Sequence, residues 1–299
     1  MSIPLILDTD IGTDVDDVWA LVFLLNCPEV DIKLITTATG DTQYRARIVA
    51  KILASLGRTD IPIGVGLFLD RSEQTHEDWL GNYSLSDYPG EVIQDGVGAI
   101  CDQVLSSEKS PTLLSIGPLP NISAAISRQP EIVHVSRFVG MHGSLRRGYL
   151  DSQKPAREYN VRLHALSCRH VFLSDWHKTI TPLDSCGNVY LDEERFKKLL
   201  DSGSDSARVV LSAHDSWYEA IKDWPMYQHL KLQERSSILF DCVAAYLAFS
   251  EEFLRIEELP ILVTKDGKTL IDERGKTIRC ATDWFDKERF LDMLVERLV

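Results

Sequence analysis

The sequence predicts an α/β fold, a mostly parallel sheet covered by helices on both faces, and three features point to it. Short apolar runs alternate with helical stretches along most of the chain, which is the rhythm of strand–helix–strand units. The first run, Ile3-Pro4-Leu5-Ile6-Leu7, is continuously apolar, as in a strand buried on both faces. Five aspartates (Asp8, Asp10, Asp14, Asp16, Asp17) then crowd the loop before the next helix, and open α/β sheets bind ligands outside the carboxyl ends of their strands. At 299 residues with 44% hydrophobic content, the chain can bury a large core. No repeat or low-complexity linker divides it, so one domain spanning 1–299 is expected.

The elements follow in order. A buried helix is read over 18–25, where every residue is apolar. Strands are expected over 31–37, 61–65, 112–116, 137–141 and 179–183, with helices over 42–56, 121–127 and 193–200. Two more helices, 205–222 and 236–249, precede a tail of different character. There Lys265-Asp266-Gly267-Lys268 signals a hairpin turn between 259–264 and 269–271, and Glu273-Arg274-Gly275-Lys276 offers a second turn. An amphipathic helix over 287–298 closes the pattern.

Composition excludes several function classes. A net charge of −13 with no basic cluster argues against nucleic acid as a partner, because nothing could neutralise a phosphate backbone. The longest apolar run is too short to span a bilayer, and the first strand begins without room for a leader, so no membrane partner and a cytoplasmic setting are expected. Six cysteines (Cys27, Cys101, Cys168, Cys186, Cys242, Cys280) are scattered without a Cys-x-x-Cys pair, as in reduced cytosolic proteins whose thiols are buried.

The aspartate loop is the candidate functional centre. Its ligands are all oxygen, with no Cys or His, which points to calcium or magnesium rather than a soft metal. Helix capping by Asp16 and Asp17 explains two aspartates, not five. An EF-hand fails, since Trp19 stands where its closing glutamate belongs. A phosphotransfer motif of the Asp-x-Asp-x-Thr/Val type, as in haloacid-dehalogenase-like phosphatases, would place Gly12 at its last position. On these residues alone, capping, phosphotransfer and metal-assisted hydrolysis stay open.

The loop also resembles the Asp-x-Asp-Pro-Gly-x-Asp-Asp signature of the calcium-dependent nucleoside hydrolases, with two residues inserted before Asp16-Asp17. The likeness continues in order through Ile35–Asp41, Asp95-Gly96-Val97-Gly98, Gly117–Ile122, Gly140-Met141-His142-Gly143, Glu158-Tyr159-Asn160 and Leu239-Phe240-Asp241. It implies a single doubly wound α/β domain, a homo-oligomer (dimer or tetramer), and hydrolysis of the N-glycosidic bond of a small-molecule ribonucleoside with Ca2+ as cofactor. Carried over by position, it makes Asp10, Asp17, Asp241 and the backbone carbonyl of Pro120 the calcium ligands. Asp10 becomes the general base toward a calcium-bound water, Asp16 an acceptor for the ribose 2′-hydroxyl, and Asp8 a support for the loop. Met141, Glu158 and Asn160 would hold the sugar. Asp14 falls in the insertion and receives no role. By residue type alone, Met141 reads as core filler, and Glu158 and Asn160 as solvated loop residues; their matching spacing is what singles them out.

Two positions depart from the family pattern. Asp41 stands where an asparagine is usual, which adds charge to hydroxyl recognition unless a neighbour such as Arg45 neutralises it. Phe240 replaces the histidine that precedes the late metal-binding aspartate in well-known members, and it cannot protonate a leaving base. His142, His214 and His229 are the alternative donors in the sequence, and Trp79, Tyr83, Trp217, Tyr218, Trp224 and Tyr227 are candidates for stacking on the base. These departures leave room for a related hydrolase of another glycoside, or for a non-catalytic nucleoside- or sugar-binding homologue.

Overall fold

Ten strands of the computed structural model, which describes residues 2–69, 72–225 and 227–299, join in one sheet. They are β1 (Ile3–Thr9), β2 (Val30–Thr37), β3 (Ile63–Val65), β4 (Val92–Ile93), β5 (Thr112–Ser115), β6 (Arg137–Met141), β7 (Lys178–Thr181), β8 (Leu254–Val263), β9 (Thr269–Ile271) and β10 (Lys276–Trp284). The sheet order is β4-β3-β2-β1-β5-β6-β7-β10-β8-β9. Every pair from β4 to β10 is parallel, and β8 and β9 add an antiparallel edge. The strand order reverses between β1 and β5, where Asp8 pairs with Ser115. A crevice therefore opens at the carboxyl ends of these two strands, between loops that leave in opposite directions.

Alternation along β1 divides the core into its two faces. Leu5 and Leu7 pack with helices Asp16–Leu25, Thr42–Ser55, Asp205–Ile221, Phe240–Leu247 and Lys287–Leu298. Ile6 points the other way, against helices Gly96–Leu105, Pro120–Arg128 and Ala165–Leu173. Helix Asp16–Leu25 is apolar all round after its first two residues and is buried along Asp16–Leu24, as expected for a helix enclosed on all sides. All six cysteines are free and buried. No helix among the described residues is long and apolar enough to cross a membrane.

Three elements differ from the sequence reading, each through tertiary contacts. The expected 236–249 helix starts only at Phe240. The amides of Ser236 and Leu239 donate instead to the carbonyls of Leu191 and Val189, which leaves Asp241 in the first helical turn. The expected strand over 179–183 stops at Thr181, and Leu183 opens a short helix. The tail hairpin forms between β8 and β9, and β10, the strand after the second turn, pairs with β8 on one side and with β7 on the other, which joins the hairpin to the main sheet.

The C-terminal helix braces the element that carries Asp241. Phe290 is fully buried, with its ring centroid 5.0 Å from Trp284 and 5.3 Å from Tyr246, a residue of the Phe240–Leu247 helix. Phe290→Ala is expected to cost about 3–5 kcal/mol of stability, measured as a lower urea midpoint at unchanged slope.

Candidate active site

The crevice is a cavity of about 530 Å³ with an acidic floor and an aromatic rim. Asp10, Asp14, Asp16, Asp17 and Asp241 line its base. Carboxylate oxygens of Asp16, Asp17 and Asp241 lie within 4.8 Å of one another, and all three residues are buried. Burial drives their pKa values well above the carboxylate range, and mutual repulsion adds to it. Asp10 is pushed up to about 6 by burial, with Arg45 pulling the other way.

Each acid is fixed by a particular contact. The Thr9 hydroxyl donates to Asp17 Oδ1, and the Asp241 amide donates to Asp16 Oδ2 at 3.3 Å. Asp8, beneath the floor, accepts from Thr36 at 2.6 Å and from Asn121 at 2.8 Å. Behind Asp10 runs the turn after β5: a Cβ added to Gly117 would stand 2.8 Å from both the amide nitrogen and Oδ1 of Asp10. The Gly117 carbonyl is in turn held by His142 Nε2 at 3.1 Å.

Arg45 holds the loop from below. Its fully buried guanidinium donates to the carbonyls of Asp10, Ile11 and Thr39 and to the hydroxyls of Thr13 and Ser72. This is a buried cation placed under the backbone of the acidic loop, and it leaves the carboxylates facing the cavity.

One wall comes from the Glu158 segment. Glu158 caps helix Tyr159–Leu163 and accepts from the amides of Gly143, Asn160 and Val161 at 3.0, 2.6 and 3.1 Å. Burial raises its pKa to about 7 against those hydrogen bonds. Asn160 Nδ2 ties the carbonyls of Ile116 and Met141 together at 3.0 Å each, which fixes the ends of β5 and β6 around the cavity. Above them, Tyr149, Tyr159, Trp224, Tyr227 and Phe240 form the rim with Arg157 and Arg162. Phe240 meets Tyr149 edge to face at 5.9 Å, and Tyr227 donates its hydroxyl to Asp14.

These residues suit a hard divalent cation. The donors on the floor are carboxylate oxygens, their repulsion is relieved by a bound positive charge, and the nearby cation Arg45 donates to backbone carbonyls and hydroxyls.

A family model described as inosine-uridine preferring nucleoside hydrolase matches residues 5–292 of the chain. The chain belongs to the nucleoside hydrolase family. Its sequence is 27% identical over 321 residues to the pyrimidine-specific ribonucleoside hydrolase RihA of Salmonella paratyphi C (strain RKS4594), covering 100% of this chain and 99% of that protein. It is 28% identical over 324 residues to RihA of Escherichia coli O127:H6, with the same coverage. The plant nucleoside hydrolase PpNRh1 shares the fold with a TM-score of 0.82 at 20% identity, over 100% of this chain and 99% of that one. A purine-preferring ribonucleoside hydrolase from Gardnerella vaginalis does so with a TM-score of 0.82 at 23% identity, over 99% and 98%.

Of the residues singled out in the sequence, Asp10, Asp16, Asp17, Met141, Glu158, Asn160, Phe240 and Asp241 all line the one cavity. Pro120 is not on its wall and opens helix Pro120–Arg128. Asp41, expected at the sugar, has a local partner in the structure. Its carboxylate caps helix Thr42–Ser55, accepting from the amides of Gln43 and Tyr44 at 3.1 and 3.0 Å, and it does not reach the cavity wall. Arg45 does not neutralise it, being engaged under the aspartate loop. None of His142, His214 and His229 lines the cavity; the first two are buried in the core and the third is exposed. Of the six aromatic candidates only Trp224 and Tyr227 reach it, while Trp217 lies behind Tyr227 at 5.0 Å. Tyr149, Arg157 and Arg162 were not foreseen. Tyr149 comes from an irregular loop without periodicity, and the two arginines carry no signal beyond flanking Glu158.

Gly117→Ala is expected to displace Asp10, because its new methyl overlaps that residue's amide and carboxylate. Turnover should fall by at least about tenfold with near-native far-UV circular dichroism; unchanged kcat would show that Asp10 tolerates the shift.

Proposed function

We propose that this chain hydrolyses the N-glycosidic bond of ribonucleosides to ribose and free base, with calcium as its resident ion. The observation that carries the reading is the convergence of buried aspartates from two distant segments on one floor, beneath walls formed by Met141, Glu158 and Asn160, in a nucleoside hydrolase chain. The names of the RihA relatives, pyrimidine-specific ribonucleoside hydrolases, support the substrate class. The buried free thiols are in keeping with a reducing, cytoplasmic setting, and a homo-oligomer is part of the reading.

The proposed ligands are Asp10, Asp17, Asp241 and the carbonyl of Pro120, the first residue of the helix that follows the Gly117 turn. A bound divalent ion binds vicinal hydroxyls and makes water more acidic. Asp10 takes the proton of the attacking water as its oxygen bonds to C1′. The C1′–N bond breaks with its electron pair going to nitrogen, which takes up a proton from solvent, and Asp10 returns its proton to solvent. Asp16 accepts from the 2′-hydroxyl with the oxygen that the Asp241 amide leaves available. Glu158 and Asn160, both held by backbone groups, present fixed polar atoms to the remaining hydroxyls, and Met141 packs on the sugar. The base lies among the rim aromatics, whose faces bind a planar ring.

Two outcomes test this. Metal analysis of gently purified protein is expected to find about one calcium per chain; chelation should abolish release of base from uridine or inosine, and calcium should restore it. Asp10→Asn should lower turnover by at least about 10²-fold, and an equal loss in Asp14→Asn would mean the wrong carboxylate has been assigned.

The rim also sets a leaving-group preference. No histidine among the described residues lines the cavity, so p-nitrophenyl riboside is expected to be cleaved far faster than uridine or inosine, and Phe240→His should narrow that gap. Equal rates on the wild type would reveal an acid among the cavity residues. Refusal of all ribosides with cleavage of another glycoside would replace the ribonucleoside assignment.

A further inference from the structure

Two guanidinium groups stand at the mouth of a cavity whose floor is anionic. Arg157 and Arg162 flank Glu158 in sequence, and both line the cavity while remaining exposed to solvent. A turn from the far end of the chain holds them there. The Asp266 carbonyl accepts from Arg157 Nη1 at 3.5 Å. Gly267 packs so closely on Arg162 that a Cβ there would stand 2.5 Å from the Arg162 Cα. The Arg162 guanidinium itself lies over the Tyr159 ring, 5.7 Å from its centroid. Among the described residues neither arginine has a carboxylate at ion-pair distance, whereas nearby Arg146 and Arg147 are paired with Glu257 and Asp151.

In a chain of net charge −13, this pair of cations opens onto the cavity rather than onto an acidic neighbour. The floor is taken up by carboxylates and, in the proposed function, by calcium and the sugar hydroxyls, so a negatively charged group on a bound riboside belongs beside the arginines. A guanidinium offers such a group two parallel donors, a geometry suited to phosphate and carboxylate. Stabilising charge on the departing base is a different task, and it calls for a cation beside the bond that breaks, deep in the cavity.

We propose that Arg157 and Arg162 form an anion subsite, and that the preferred substrate is a ribonucleoside carrying an anionic group, either a phosphate on the 5′-oxygen or a carboxylate on the base. The proposal rests on the ribonucleoside reading above.

The test compares kcat/KM of the calcium-loaded protein for uridine, uridine 5′-monophosphate and orotidine. At least one anionic substrate is expected to exceed uridine by at least about tenfold, and whichever does so places the anion on the sugar or on the base. The preference should shrink as salt rises, because exposed charges are screened. Arg157→Gln with Arg162→Gln should bring the ratio to near one, while the double lysine variant keeps part of it. Uridine turned over better than both anionic substrates would overturn the subsite and leave the ribonucleoside reading standing, and so would a preference that survives the double glutamine variant. A double variant that slows all three alike, most strongly for the poorest leaving group, would move the arginines to the departing base and also overturn the subsite. If none of the three is hydrolysed, the ribonucleoside reading fails and the subsite with it.

Discussion

Five buried carboxylates in one small volume, Asp8, Asp10, Asp16, Asp17 and Asp241, are the constraint to which the rest of this molecule answers. Charges of one sign taken out of water repel strongly and raise one another's pKa values. The protein offsets part of that locally, with the Thr9 hydroxyl on Asp17, Thr36 and Asn121 on Asp8, and the Asp241 amide on Asp16. Arg45 contributes a positive charge from beneath but spends its donors on carbonyls and hydroxyls. The carboxylate oxygens on the cavity side thus stay turned toward one another. An assembly of this kind is completed by a small cation of high charge, and calcium in the proposed function has that place.

The sheet makes such crowding possible without loss of order. Where the strand order reverses between β1 and β5, two loops diverge and leave a crevice that neither fills. The acidic loop enters from one side, the turn at Gly117 supports it from the other, and the Phe240–Leu247 helix brings Asp241 to the same floor. Because Gly117 has no side chain, the second loop can lie directly against Asp10. The same economy of space appears at Asn160, whose one amide nitrogen joins the ends of two neighbouring strands. Rigid strands thereby fix the spacing of groups that belong to loops.

Floor and rim have opposite chemical character. The floor is oxygen-rich and suited to hydroxyls and a metal ion; the rim is aromatic and carries arginines. A molecule with a polyhydroxyl end and a planar end fits this gradient in one orientation only, sugar down. Phe240 belongs to the aromatic half, in edge-to-face contact with Tyr149, so it contributes ring surface where a histidine would contribute a proton. In the proposed function this is the reason that leaving-group chemistry carries weight.

The α/β class, the strand-to-helix position of the aspartates and the collinear motifs that point to the family were all legible in the sequence, because each depends on local pattern: apolar runs, their alternation and short fixed spacings. Eight of the residues singled out in this way line the same cavity. The sequence could not say that Asp41 turns to cap its helix, that Arg45 serves the backbone of the aspartate loop instead, or that the three candidate histidines lie away from the cavity. Asp41 is claimed by the amides of Gln43 and Tyr44 just after it, whereas the direction of Arg45 depends on partners brought in from elsewhere in the chain, of which spacing carries no record. Helix 236–249 lost its first turn to carbonyls at 189 and 191 for the same reason, and Arg157 and Arg162 acquired their place from a turn 109 residues after Arg157. Local propensity and periodicity determined which elements form and which carry the acids; tertiary packing decided where groups such as Arg45 and Arg157 are held, because the acidic-loop carbonyls and the turn that bind them lie far away along the chain.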